Sequence, residues 1–263
     1  MAEKITFKRI AILFSGFVFV LYGGLILSLL YFFDKDVFFK AAFSERAAYS
    51  ILLSLSVATV VTVISLLIAI PAAYALSRYN FQGRSIIDTI LELPMVVSPA
   101  ALGAMLLIFF NNPLGGFIQE NFAQFVFTVY GIILAQFVTT LGVCIRLVKA
   151  AMDEIPQRYE DVARCLGVPP FKTFLKVTLP LSKNGIIAAS ILTWAKAVGE
   201  FGATFTVAGS MAMNTETLPV AIYMRLSTAD IEGTVALIII LLILGLSTLY
   251  IVRILTNKRV ISD

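Results

Sequence analysis

The chain has 263 residues, of which 59% are hydrophobic and only 14% charged, with a formal net charge of +4 and a strongly positive mean hydropathy. A soluble domain is about 25% charged, so this chain lacks the polar surface to cover itself in water and is read as an integral membrane protein. It contains no histidine and two cysteines, Cys144 and Cys165. That argues against a membrane metalloprotease, a metal centre and a disulfide scaffold, and the spread of basic residues between apolar stretches argues against nucleic acid.

A helix needs about 20 apolar residues to cross the hydrocarbon. Six stretches meet or approach that length, which predicts an all-α polytopic membrane protein of one domain over residues 1–263. The first stretch, 10–33, is too long for a signal-peptide core and is read as a retained span. The second, 47–77, exceeds one crossing. The third covers 90–110 and the fourth lies between Glu120 and Arg146. The fifth starts near Gly185 and is interrupted by Lys196 and Glu200. The sixth covers 233–252. Pro71, Pro94 and Pro99 fall inside these spans, where each removes a backbone donor and favours a bend. Neighbouring helices can absorb such bends, or a moving pathway can use them.

Basic residues orient the spans. With the N-terminus in the cytoplasm, Lys4, Lys8, Arg9, Arg78, Arg84, Arg146, Lys149, Arg158, Arg164, Lys172, Lys176, Lys183, Arg253, Lys258 and Arg259 lie inside. Only Lys35, Lys40, Arg46 and Arg225 lie outside, and Lys196 is within a span. This asymmetry places both ends in the cytoplasm.

The loop between the fourth and fifth spans, about 149–183, has its own helical pattern. Pro156 suits a first turn, Glu160 and Asp161 favour the positive end of a helix, and Gly167 with Pro169 and Pro170 ends it. Tyr159, Val162, Ala163 and Leu166 share one side. A second short helix is expected from near Phe171 to just before Leu179-Pro180. Such a hairpin either rests on the membrane surface or docks in a groove of a partner.

The run Glu160-Asp161-Val162-Ala163-Arg164-Cys165-Leu166-Gly167, followed by Val177-Thr178-Leu179-Pro180, resembles the Glu-Ala-Ala loop of binding-protein-dependent ABC importer permeases. Aligned on Gly167, the family acid falls on Asp161 and the two alanines on Val162 and Ala163. The end of the second span, Pro71-Ala72-Ala73-Tyr74-Ala75-Leu76-Ser77-Arg78, is similar to the same family. The resemblance covers about 47–255 and implies a type I importer fold. It also implies that the loop, with Tyr159, Glu160, Asp161, Val162, Ala163, Arg164, Leu166 and Gly167, couples to a cytoplasmic ATP-binding subunit present in two copies.

Lys196 and Glu200 stand four residues apart, so on one continuous helix they share a face. Charges at that depth face a bundle interior or water, which leaves an internal ion pair and a pathway position both open. The string from Trp194 to Thr204, with Val207-Ala208-Gly209 and Thr215-Glu216-Thr217-Leu218-Pro219, looks like the molybdate/tungstate permeases, with sulfate/thiosulfate permeases as the alternative. That resemblance implies an oxyanion-binding protein outside the cell, a second permease copy in a homodimer, and a prokaryotic cell membrane location. No Gly-x-x-x-x-Gly-Lys-Ser/Thr loop occurs, so ATP is expected on the partner, with no cofactor bound by this chain and no enzymatic activity of its own. A membrane enzyme would need convergent carboxylates, which are missing. A passive anion channel would conduct without ATP and need no docking hairpin.

Overall fold

The computed structural model describes residues 2–257, and among them every regular element is a helix. Lys258 and Arg259, counted above among the inside charges, lie outside the described residues. Among the described residues four helices are long and apolar enough to cross a membrane, and six crossings result if each of two bent pairs counts as one.

The first crossing is α1 (Ala2–Ser28), continued by a 3₁₀ turn (Leu29–Phe32). None of its apolar window is buried within this chain. A short helix α2 (Lys35–Ala42) follows, capped by Asp34, whose carboxylate accepts from the Asp36 and Val37 amides at 2.8 and 3.0 Å. Helix α3 (Glu45–Arg78) has 34 residues and stays continuous through Pro71. At about 1.5 Å per residue it exceeds the ~30 Å hydrocarbon core, so one end projects well beyond the bilayer.

The third crossing is not the single helix expected over 90–110. It consists of α4 (Arg84–Leu91), α5 (Leu93–Val96) and α6 (Pro99–Phe110), bent by 111° between the α4–α5 segment and α6. Ser98, driven to an extended backbone by the proline after it, has φ −62 and ψ 146, and its hydroxyl accepts from Ala101. Pro99 therefore starts a helix instead of bending one. After α7 (Pro113–Asn121) comes α8 (Val129–Asp153), the most buried of the four unbroken crossings.

Helix α9 (Arg158–Cys165) leads into α10 (Pro170–Thr173). A π turn (Phe174–Thr178) and α11 (Leu179–Leu181) then carry the chain to α12 (Lys183–Val198). The second hairpin helix thus starts at Pro170 and does not stop before Leu179-Pro180, because Pro180 sits in the first turn of α11, where its missing donor costs nothing. Helix α12 ends at Gly199 and the chain turns by 53° into α13 (Gly202–Ala208). The last elements are α14 (Leu218–Ser227) and α15 (Ile231–Asn257).

Helices α3, α8 and α12 pack on one another and form the core. One apolar layer joins Ala69, Ala73, Cys144, Val148 and Ala189, and a second joins Val57, Val61, Ile132 and Ala197. Small side chains let the backbones approach, which is how membrane helices gain dispersion contact when lipid gives no hydrophobic drive. Gly202 shows the limit: a Cβ there would lie 2.9 Å from the Ala100 amide nitrogen, so α13 seats on the start of α6 only with glycine.

Candidate functional site

Local sequence explains how α9 begins and ends. Gln157 precedes its first turn, and Glu160 and Asp161 sit where the helix dipole favours acids. Gly167 adopts φ +81, a region costly to residues with a Cβ. The Val168 amide donates to the Ala163 carbonyl at 3.1 Å and the Gly167 amide to Arg164 at 2.9 Å, the paired bonds of a left-handed helix stop.

Glu160 faces inward and is 1% exposed. Its Oε1 accepts from Arg78 Nε at 2.7 Å and Thr178 Oγ1 at 2.8 Å. Its Oε2 accepts from the Tyr74 hydroxyl at 3.0 Å and Arg164 Nη2 at 3.2 Å. Arg78 is buried as well, and its Nη2 donates to the carbonyls of Met152 and Ile155, both at 3.0 Å. Ser77 bonds Asp153, which also pairs with Lys149 at 2.8 Å. Through one carboxylate and one guanidinium, the projecting end of α3, the end of α8, helix α9 and the π turn become one joint. Burial pushes the Glu160 carboxyl up, but the hydrogen bonds from Arg78, Thr178 and Tyr74 outweigh it and hold it below the usual carboxylate range.

The opposite face of α9 is largely uncovered by this chain. Tyr159, Val162 and Leu166 are exposed there, the last at 79%, and Phe171 joins them from α10. Arg158 lies over the Tyr159 ring at 5.5 Å. Ala163 is half-buried. Asp161, on which the family acid aligns, is exposed, with Arg164 Nη1 3.9 Å away. Sequence reasoning placed the acids together but did not separate them, and it did not find Arg78, Tyr74 or Thr178 as partners. The signal was present, since Tyr74 and Arg78 are four residues apart on a helix longer than the bilayer. A cleft of about 380 Å³ adjoins the joint, lined by Pro71, Tyr74, Tyr79, Pro170, Phe171 and Phe174.

Lys196 and Glu200 are not brought together. Among the described residues no ion pair links them. The spacing argument required one continuous helix, and α12 ends before Glu200 is reached. Glu200 instead is 4% exposed and accepts from the Ala203 amide at 3.0 Å, capping α13.

A comparison with known families matches residues 65–261 to the binding-protein-dependent transport system inner membrane component. The chain belongs to that family. The permease is 35% identical over 201 residues to the molybdenum transport system permease protein ModB of Haemophilus influenzae, covering 75% of this chain and 88% of that protein. It is 31% identical over 207 residues to the sulfate transport system permease protein CysW of Synechocystis, covering 75% of each. Among solved structures, the bacterial alginate ABC transporter in complex with an alginate pentasaccharide-bound periplasmic protein has a chain with TM-score 0.75 and 16% identity, covering 97% of this chain and 96% of that one. The permease therefore has the ABC importer permease fold, and its bent crossings belong to a multi-pass membrane protein.

Proposed function

We propose that the permease forms the membrane pathway of an ATP-driven importer of molybdate or tungstate. Helix α9 is its coupling element, and both chain ends lie in the cytoplasm of a prokaryotic cell. Two copies of the chain assemble with two ATP-binding subunits, which hold the ATP, and an extracytoplasmic binding protein delivers the oxyanion. The observation that carries the coupling role is the division of α9 into two faces. Glu160 ties one face to the bundle through buried charge, while Tyr159, Val162 and Leu166 present an apolar face with no cover. Such a helix transmits force only if a partner seats on the free side. Asp161 and Arg164 at its rim supply charges that steer a partner, and Gly167 sets where the helix stops.

The cargo rests on the likeness to molybdenum permeases. A tetrahedral dianion loses far too much hydration in lipid to bind tightly to one lysine and scattered hydroxyls. The pathway is therefore a wet, weakly binding one at the two-fold interface, with selectivity in the binding protein. Sulfate is the second reading, supported by the 31% identity to the CysW protein.

Vesicles containing the permease, its ATPase and its binding protein test this directly. ATP-dependent uptake of labelled molybdate should be suppressed by tungstate and resist excess sulfate. Uptake that sulfate suppresses and tungstate does not would move the assignment to sulfate, and uptake without ATP would make the protein a channel.

A further inference from the structure

At the end of the bundle opposite α9, segment 209–217 joins α13 to α14. On one side it meets the start of α8, where the Phe127 amide donates to the Val207 carbonyl at 3.1 Å and the Phe127 ring packs on Gly209. On the other side it meets the start of α3. The Tyr49 hydroxyl donates to the Asn214 carbonyl at 3.0 Å, and Ser54 Oγ accepts from the Leu218 amide at 2.7 Å. Between these contacts Arg46 grips Glu216 with two bonds, Nε and Nη2 each 2.6 Å from a carboxylate oxygen. The segment thus bridges the starts of the two helices that pack most extensively in the core.

The pair is lopsided. The Glu216 side chain is 1% exposed and that of Arg46 is 51% exposed. No other ion pair reaches Glu216 among the described residues; Arg225, which lines the same crevice, is turned to Asp230 at 3.1 Å. The crevice, about 10 Å³, is also lined by Ser50. The Ser50 hydroxyl has no partner, nor does that of Thr217 beside Glu216. If Arg46 swings into water, the buried carboxylate loses the one ion pair it has among the described residues. Glu216 is then driven either to take a proton or to turn outward, and an outward turn draws segment 209–217 against its contacts with Tyr49 and Phe127. An outward turn of Glu216 therefore couples loss of the pair to displacement of the segment. The backbone has bends to swing on, with Gly209 at φ +71 and Met213 at φ +59.

We infer that Arg46 and Glu216 form a releasable latch that closes the bundle end opposite α9, and that each transport cycle opens it. This deepens the importer reading and rests on it. The binding protein arrives on that face and α9 is pulled at the other, so the latch delays opening until both ends are engaged.

The test uses the full permease with its ATPase, Cys165→Ser, and spin labels at Ala48→Cys and Ala212→Cys. With labels on both permease copies, the distance within one copy should be short and narrow in the resting complex, and ATP trapping should add a longer one to it. Arg46→Ala should show the longer distance at rest without ATP and raise substrate-free ATP hydrolysis several-fold. The swap Arg46→Glu with Glu216→Arg should restore the resting distance, and Arg46→Lys should fall between, which covers the case of Arg46→Ala folding poorly. An unchanged distance in Arg46→Ala and Arg46→Lys, or under ATP trapping, overturns the latch. Failure of the unmodified complex to take up any oxyanion overturns the importer reading instead, and the resting distances still decide whether the pair holds the segment.

Discussion

Four donors share the Glu160 carboxylate, so the consequences of its removal follow from what stays behind. Glu160→Ala leaves Arg78 buried without its partner, and breaking a buried pair from one side costs about 3–5 kcal/mol. A clear fall in melting temperature of the detergent-solubilised permease is the expected reading. Glu160→Gln keeps the shape and loses the charge, so it should fold better yet couple ATP hydrolysis to uptake poorly. The depressed carboxyl also gives a pH signature. A folded-state value below the unfolded one contributes stability that is complete above the ordinary carboxylate range and disappears as pH falls through the lowered value. The stability gap between the permease and its Glu160→Gln variant should therefore be widest near neutral pH and close in strong acid. A gap that widened on acidification would contradict the assignment.

At the scale of elements, α9 separates holding from docking. Val162→Asp and Leu166→Asp change side chains that are exposed, so the melting temperature should barely move, while copurification of the ATPase and ATP-driven uptake should be lost. Retained association in both variants would remove the docking face. Gly167 differs because its φ of +81 penalises any Cβ, and Gly167→Val should cost at least about 1–2 kcal/mol and misdirect α10. Limited proteolysis at 165–170 would report that loosening.

For the whole molecule, the core of α3, α8 and α12 contrasts with α1, whose apolar window is not buried at all. Deleting residues 2–28 removes a lipid-facing helix and little core contact. The remaining protein should keep nearly the same thermal unfolding in detergent, whereas Cys144→Phe, placed in a fully buried position on α8, should overpack the core and abolish cooperative unfolding.

Much of this was legible in the residues. Hydropathy alone implied six crossings, because a span is a local property requiring only length and apolar content. The stop of α9 was equally local, set by Gly167, and the early acids mark its first turn, whereas Pro156, expected in that turn, falls ahead of Gln157 and outside the helix. What sequence could not decide were relations between distant segments. Glu160 and Asp161 are chemically alike, and only the meeting of α3, α8 and the π turn made one a buried joint and left the other at the surface. Lys196 and Glu200 have the spacing of a helical ion pair, but the crossing of α13 over α6 required a break at Gly199, which turned Glu200 into a cap. The prolines at 94 and 99 were legible as bends, though not as the start of a new helix lying 111° away. Local propensity and hydropathy determined which segments enter the bilayer. Burial decided which charges became joints, because desolvation depends on all the neighbours a fold assembles.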